Sequence, residues 1–125
     1  MPGSSAFLER GFVTYSNRSK VEELGVDPAV LEAEGAVSEA VARAMAEGAR
    51  RVAGTSIGVG ITGIAGPDGG TPEKPVGLVF VALAGAAGDT VRRLRLFSQR
   101  ERVRNHSVQI ALEMLRRGLL GLPAL

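Results

Sequence analysis

Apolar residues recur at helical spacing in two long stretches of the chain. From Glu39 to Val52 they fall on one stripe, which predicts an amphipathic helix, and the spacing from Val103 to Gly118 predicts a terminal helix that ends near Gly121. Residues typical of helix ends predict two short helices before these. The first would begin at Asn17 and end at Gly25, and the second would begin at Asp27 with Pro28 and end at Gly35. Ser38 would begin the third helix, the one that contains Glu39 to Val52.

Four segments show the patterns of strands. Gly11–Ser16 and Ser56–Thr62 alternate between two faces, while Val76–Ala84 is continuously apolar, as expected of a strand covered on both sides. Thr90–Phe97 is a charged strand predicted to form a hairpin with the apolar one. Gly63–Gly77 holds five glycines and three prolines, which predicts a long loop of a kind that is often functional.

These helices and strands interleave along the sequence. Residues 1–9 add only a loop that enters a short helical turn. Because one strand is wholly apolar, we expect a sheet covered by helices on both faces. The prediction is an α/β fold with three layers, α/β/α, in a single domain over residues 1–125.

The composition limits the classes of function. The chain has 125 residues, a net charge of +2 and no cysteine, which excludes disulfides, thiolate nucleophiles and cysteine metal sites. So small a net charge makes nucleic acid an unlikely partner. No apolar run is long enough to cross a bilayer and no signal segment is evident, so the expected location is the cytoplasm, without membrane attachment.

Two generic motifs do not fit their usual chemistry. Gly58, Gly60 and Gly63 spell the dinucleotide fingerprint, but the first two lie inside a predicted strand and no helix follows, so close packing is the preferred interpretation. His106 is the only histidine and is expected to be a solvated helix residue. We therefore predict no metal site.

Cationic residues offer two candidate sites. Arginines are dense from Arg92 to Arg104, and Arg100 and Arg104 lie near a helix N-terminus, where the backbone amides favour anions. The alternative is that most of this cluster lines the wet face of an edge strand. Lys20 lies in the first turn of a helix and has the traits of a general base if it is buried; an exposed lysine is the alternative.

Several motifs together resemble a known family. The segments TYSNRSK, GAVSE and TGIAGPDGGTPEKPVG, with FSQRERVRNHS before the last helix, resemble the CinA C-terminal domain, the nicotinamide-nucleotide amidase family. The resemblance covers nearly the whole chain and implies a mixed sheet. It also implies hydrolysis of nicotinamide mononucleotide to nicotinic acid mononucleotide and ammonia, without a metal or organic cofactor, in a cytoplasmic homo-oligomer.

The same resemblance implies roles for individual residues. Catalysis in the family is attributed to a serine of an ESxTGG-like motif with the lysine of YSNxxK as its base, which corresponds to Lys20 here. Tyr15 of the same motif is the second residue expected in the catalytic set. Substrate contacts are expected from the motif residues and from the arginines that would hold the 5′-phosphate. These expected substrate contacts are Asn17, Thr62, Gly63, Gly66, Arg100 and Arg104.

The serine motif does not occur in this sequence. The family has a strand and a helix before PGSS, whereas Met1 stands directly before Pro2, so the first strand and helix are expected to be missing. An earlier start codon, a shortened chain and a non-catalytic paralogue would each explain this. The second hypothesis is therefore a nucleotide-binding or structural fragment without catalysis, because a base without a nucleophile does not perform the reaction. Ser4 and Ser5 belong to a different motif and are weak substitutes.

Overall fold

The computed structural model describes residues 2–86 and 88–123. A 3-10 turn at Ser4–Ala6 is the first element. The predicted helices and the hairpin are confirmed, with strand ends shifted by one or two residues. The elements that follow are α1 (Asn17–Leu24), α2 (Pro28–Glu34), α3 (Glu39–Ala53), β1 (Ile57–Gly63), β2 (Leu78–Gly85), β3 (Gly88–Arg95) and α4 (Arg100–Leu120).

Cap residues fix the ends of the helices. Asp27 and Ser38 cap α2 and α3 as predicted, with side-chain oxygens that accept hydrogen bonds from Ala29 N and Val41 N. The prediction for α1 was wrong by one residue: Ser16 is the cap and its Oγ accepts from Ser19 N at 3.0 Å. Both residue types are good caps, so sequence alone does not separate them.

The three strands form an antiparallel sheet in the order β1-β2-β3. Ile61 pairs with Val81, which pairs in turn with Arg92. The α/β class is confirmed, but the mixed sheet is not found among the described strands. Both connections, the loop after β1 and the tight turn after β2, bring the chain straight back beside the strand it has left, which gives antiparallel pairing.

The strand predicted at Gly11–Ser16 was wrong. Residues 10–15 have no regular structure, and the side chains of Val13 and Tyr15 are 76% and 83% exposed. A strand requires a neighbour for its backbone N–H and C=O groups, and in the described part of the chain this segment pairs with none. Alternation of residues is therefore not sufficient to make a strand here.

Helices cover both faces of the sheet, as the three-layer prediction requires. On one face α3 places Ala42 and Ala46 against Phe80. On the other face α4 places Val103 and Met114 against Val79 and Val81. No helix among the described residues is long and apolar enough to cross a membrane.

A further set of contacts attaches α1 and α2 to the outer side of α3. Leu24 and Leu31 pack with Val41 and Met45 in a third apolar cluster. Gly48 allows the close approach of α1, because a Cβ on it would lie 2.0 Å from the Leu24 carbonyl oxygen. This packing places the start of α1, with its lysine, on the α3 side of the sheet.

Candidate functional site

Lys20 is buried in the first turn of α1. The residue is only 6% exposed, and its Nζ donates a hydrogen bond to the carbonyl oxygen of Thr14 at 2.7 Å. Burial lowers the pKa of Lys20, because the surroundings penalise the charged form. The alternative of an exposed lysine is therefore wrong, and the amine has the character expected of a general base.

Tyr15 and Asn17 flank the cap residue of α1. Both are exposed, and Tyr15 is 83% exposed. The hydrogen bond of Lys20 goes to the backbone of Thr14, not to the phenol of Tyr15. The motif therefore brings these side chains to one end of α1 and leaves two of the three open to a ligand.

Thr62 lies at the end of β1 and faces α3. Its side chain is buried, and Oγ1 donates to the carbonyl oxygen of Ala36 at 2.7 Å, in the turn between α2 and α3. Because a hydroxyl has one proton, that bond leaves Oγ1 only as an acceptor. The next residue, Gly63, is exposed on the α4 side of the sheet.

The glycine–proline loop, residues 64–77, is closed at its base and held at its sides. Ile64 N donates to Leu78 O and Gly77 N donates to Ile64 O, at 2.9 and 2.7 Å, so the two ends of the loop lie together. Arg100 donates from its guanidinium to Gly66 O at 3.1 Å. The N-terminus of α4 is thereby tied to the loop.

Arg104 lies at the mouth of a groove between β1 and α4. The groove has a volume of about 230 Å³ and a mainly apolar lining. Ser107 in this lining is buried, and its Oγ donates to Val103 O at 2.6 Å within the helix. The lining residues are Ile61, Gly63, Ala65, Val79, Val103, Arg104, Ser107 and Val108.

The predicted site residues fall into two groups on opposite sides of the sheet. Tyr15, Asn17, Lys20 and Thr62 lie on the α3 side. Gly63, Gly66, Arg100 and Arg104 lie on the α4 side or in the loop. Thr62 and Gly63 are neighbours in β1 and face opposite sides of the sheet, so the end of this strand joins the two groups.

Other candidates from the sequence have structural roles. Gly58 and Gly60 are packing glycines as preferred, since a Cβ on either would lie 2.0 or 2.4 Å from a carbonyl oxygen of α3. His106 is exposed on α4. Arg95 donates to Val76 O at 3.1 Å and lies 4.5 Å over the ring of Phe97.

Sequence reasoning missed Lys74, whose Nζ donates to the carbonyl oxygen of Glu34. The chain has only two lysines, and this one lies in the glycine–proline loop, so a signal was present. Its partner lies 40 residues earlier, and a single sequence contains no indication of that pairing.

Comparison with known proteins gives the family. The sequence model of the CinA C-terminal domain matches residues 1–119. The chain belongs to this family. A putative competence-damage inducible protein of Acetivibrio thermocellus is 56% identical over 122 residues, and a CinA-like protein of Mycobacterium tuberculosis is 51% identical over 123 residues. Each match covers 98% of this CinA domain chain, which spans 30% and 29% of those relatives.

Solved structures agree with that family. The competence/damage inducible protein CihA from Agrobacterium tumefaciens superposes with a TM-score of 0.89 at 44% identity, covering 92% of this chain and 71% of that one. A CinA superfamily protein from Klebsiella pneumoniae gives a TM-score of 0.91 at 32% identity, covering 97% and 76%. The arrangement of helices and strands is therefore that of solved CinA proteins.

Proposed function

We propose that this CinA domain takes part in hydrolysing the carboxamide of nicotinamide mononucleotide, giving nicotinic acid mononucleotide and ammonia. The proposal rests mainly on Lys20. Its amine is buried, and this burial lowers its pKa. The substrate comes from the family resemblance. The chain spans less than a third of the curated relatives, so the activity of the complete protein is part of the proposal.

Lys20 acts as the base for a serine hydroxyl in the proposed mechanism. A lowered pKa increases the fraction of neutral amine near pH 7, and only the neutral amine has a lone pair that accepts a proton. The bond from Nζ to Thr14 O orients the amine without using that lone pair. The serine comes from the strand-and-helix segment that the resemblance implies. Its hydroxyl gives its proton to Lys20 and its oxygen attacks the carboxamide carbon; the C–N bond breaks and ammonia leaves with that proton. Water then hydrolyses the acyl-enzyme to nicotinic acid mononucleotide.

The remaining residues bind the nucleotide. Tyr15 and Asn17 are exposed next to Lys20, which supports a contact of these residues with the pyridine ring or ribose. Gly63 and Gly66 are proposed contacts through their backbone alone, because the space that a Cβ on either would fill is taken by Val79 and Val76. Thr62 Oγ1 contributes an acceptor. Arg100 and Arg104 are the proposed source of positive charge for the 5′-phosphate, a task suited to guanidinium groups. A nucleotide that contacts them as well as Lys20 extends around the end of β1.

The test is ammonia release from nicotinamide mononucleotide, measured with this chain and with a chain extended by an ESxTGG-bearing strand and helix. The extended chain is expected to release ammonia. Lys20→Met in it is expected to reduce kcat by at least about 100-fold, the lower end of what general base catalysis contributes. Arg18→Met, on the same helix and exposed, is the matched control and should retain activity.

Retained turnover in Lys20→Met, in a variant that still melts cooperatively, would remove Lys20 as the base. Absence of turnover in the extended chain would remove the amidase proposal itself. We also propose a cytoplasmic homo-oligomer that uses no metal or organic cofactor, as the resemblance implies.

A second candidate is a nucleotide-binding or structural domain without catalysis. It concerns these 125 residues by themselves: Lys20 offers a base, and a base acts on the carboxamide only together with a nucleophile. This candidate predicts that nicotinamide mononucleotide raises the Tm of the chain as it stands, without ammonia release. No shift in Tm together with no turnover would leave a structural role.

A further inference from the structure

Three consecutive carbonyl oxygens in the turn between α2 and α3 accept hydrogen bonds from three different elements. Lys74 Nζ, from the glycine–proline loop, donates to Glu34 O. Ser38 Oγ, at the start of α3, donates to Gly35 O at 2.8 Å. Thr62 Oγ1, at the end of β1, donates to Ala36 O at 2.7 Å. We call residues 34–36 the carbonyl turn.

The chemistry of this turn favours such donors. The last carbonyls of a helix lack partners within the helix and carry the negative end of its dipole, so an ammonium group is well placed at the end of α2. Ser38 and Thr62 are 7% exposed, so their carbonyl partners gain bonds that water does not readily replace. The bond from Lys74 to Glu34 O is exposed to water, unlike the other two. The three bonds together join the loop, the sheet and α3 at one point.

Gly35 gives Lys74 access to this turn. A Cβ on Gly35 would lie 2.8 Å from Lys74 Nζ, and the backbone φ of Gly35 is +79°, a conformation that other residues rarely adopt. The glycine that ends α2 therefore also leaves the space through which the amine reaches Glu34 O. The helix end and the position of the loop are linked through this one residue.

The loop is held from both helical layers. Arg100 binds it at Gly66 from α4, and Lys74 binds it to the carbonyl turn on the α3 side. These are the two sides on which the candidate site residues are divided. The loop is thus the connection between the group near Lys20 and the group near Arg104.

We propose that Lys74 is a positioning residue: its bond to the carbonyl turn fixes the glycine–proline loop relative to α2 and α3, and so sets how tightly the site holds its nucleotide. The proposal rests on the proposed function for the identity of the ligand. It assigns Lys74 no contact with the substrate. Its effect is on the loop, and through the loop on affinity.

The first experiment measures amide hydrogen exchange of residues 64–77 in Lys74→Met and in the wild type. Met keeps most of the length of the side chain and removes the donor. Exchange at Thr71, whose N–H donates to Lys74 O at 2.9 Å, is expected to be about 10-fold faster, while exchange in α4 stays unchanged. Glu73→Gln, exposed in the same loop, is the matched control and is expected to exchange like the wild type.

The second experiment measures the dissociation constant for nicotinamide mononucleotide by calorimetry. Lys74→Met is expected to weaken binding about 5- to 10-fold, and Lys74→Arg, which keeps a donor and the charge, is expected to recover most of that loss. In the extended chain, Lys74→Met should raise KM more than it lowers kcat, because the base and the nucleophile are untouched.

Unchanged exchange in the loop of Lys74→Met, or faster exchange equally in the Glu73→Gln control, would overturn the proposal. Weakened binding that Lys74→Arg does not recover at all would also overturn it. Exchange requires no nucleotide, so a wild type that binds no nicotinamide mononucleotide contradicts the proposed function while the exchange data still decide whether Lys74 holds the loop.

Discussion

The two faces of the sheet are packed in different ways. On the α3 face, glycines in β1 bring helix and strand backbones into direct contact, so no space is left for even one methyl group. On the α4 face, larger apolar side chains fill the interface only partly, and a groove of about 230 Å³ remains beside β1. The α3 face is thus packed most closely where β1 has glycines, and the α4 face is packed by larger apolar side chains that leave the groove.

The molecule tolerates added atoms differently on the two faces. Where backbone meets backbone, an added atom can be accommodated only if a whole element moves, because interiors are already close-packed. Where side chains border a groove, rotamers can adjust. We therefore expect the same type of substitution to have opposite effects on the two faces.

The largest effect is expected from Gly58→Ala on the α3 face. The new Cβ would lie 2.0 Å from the carbonyl oxygen of Ala46, so α3 must move away from β1. The free energy of unfolding should fall by at least about 3 kcal/mol, the upper part of the usual range for overpacking. Urea denaturation measures it, and Gly11→Ala, with no atom within 4 Å of its added Cβ, is the control. A loss below about 1 kcal/mol would contradict tight packing here.

The second effect is a cavity on the α4 face. Val103 is 2% exposed and borders the groove, so Val103→Ala removes buried methyl groups without forcing any element to move. We expect a loss of about 2 kcal/mol from the lost burial and the added cavity. Val108→Ala, at a residue 51% exposed in the same lining, should change stability by less than about 0.5 kcal/mol. Equal losses in both variants would mean that the groove is closed in solution.

Much of this architecture could be predicted from the sequence, because local signals determine it. Asp27, Ser38 and Gly25 mark helix ends by chemistry that involves only their neighbours, and the continuous apolar pattern of β2 already predicts cover on both faces. The segment at residues 11–16 shows where such signals fail. Its pattern is that of a strand, but a strand also needs a pairing partner, which no pattern within the segment supplies.

The candidate site was less predictable than the fold. Lys20 stands out by motif and by helix position, yet its burial depends on packing between distant elements. Thr62 and Lys74 bind carbonyls that lie 26 and 40 residues away, and one sequence contains no record of such pairs. The division of the site between two sides of the sheet likewise follows from topology, not from any single motif.

A third prediction compares charge burial on the two faces, since Lys20 is buried on the α3 side and Arg104 is exposed on the α4 side. The folded protein lowers the pKa of Lys20 below the ordinary value of 10.5, so it binds that proton less readily than the unfolded chain does. The contribution of Lys20 to the free energy of unfolding is therefore lowest at neutral pH and below, and it rises as pH increases toward 10.5.

The measurement is the free energy of unfolding of the wild type and of Lys20→Met at several values between pH 7 and pH 10.5. The free energy of unfolding of the wild type should increase relative to that of the variant as pH rises, with a slope of at most about 1.4 kcal/mol per pH unit. Arg104→Met serves as the control and should show no such slope relative to the wild type. A difference between wild type and Lys20→Met that stays flat or falls with pH would mean that the amine is solvated.

The smallest effect is expected from a glycine of α4 that faces the sheet. Gly118→Ala in α4 would place a Cβ 3.0 Å from Leu83 Cδ2, the end of a side chain that can rotate away. Since alanine favours helix over glycine, and the position is near the helix end, we expect a gain of roughly 0.5 kcal/mol. Gly48→Ala in α3 is the contrast: it has the same helical advantage, but its Cβ would lie 2.0 Å from the Leu24 carbonyl oxygen of α1, so it should destabilise by more than Gly118→Ala stabilises. Thermal denaturation measures both, and shifts in Tm of the same sign would show that a side-chain end and a backbone carbonyl oppose an added methyl group equally.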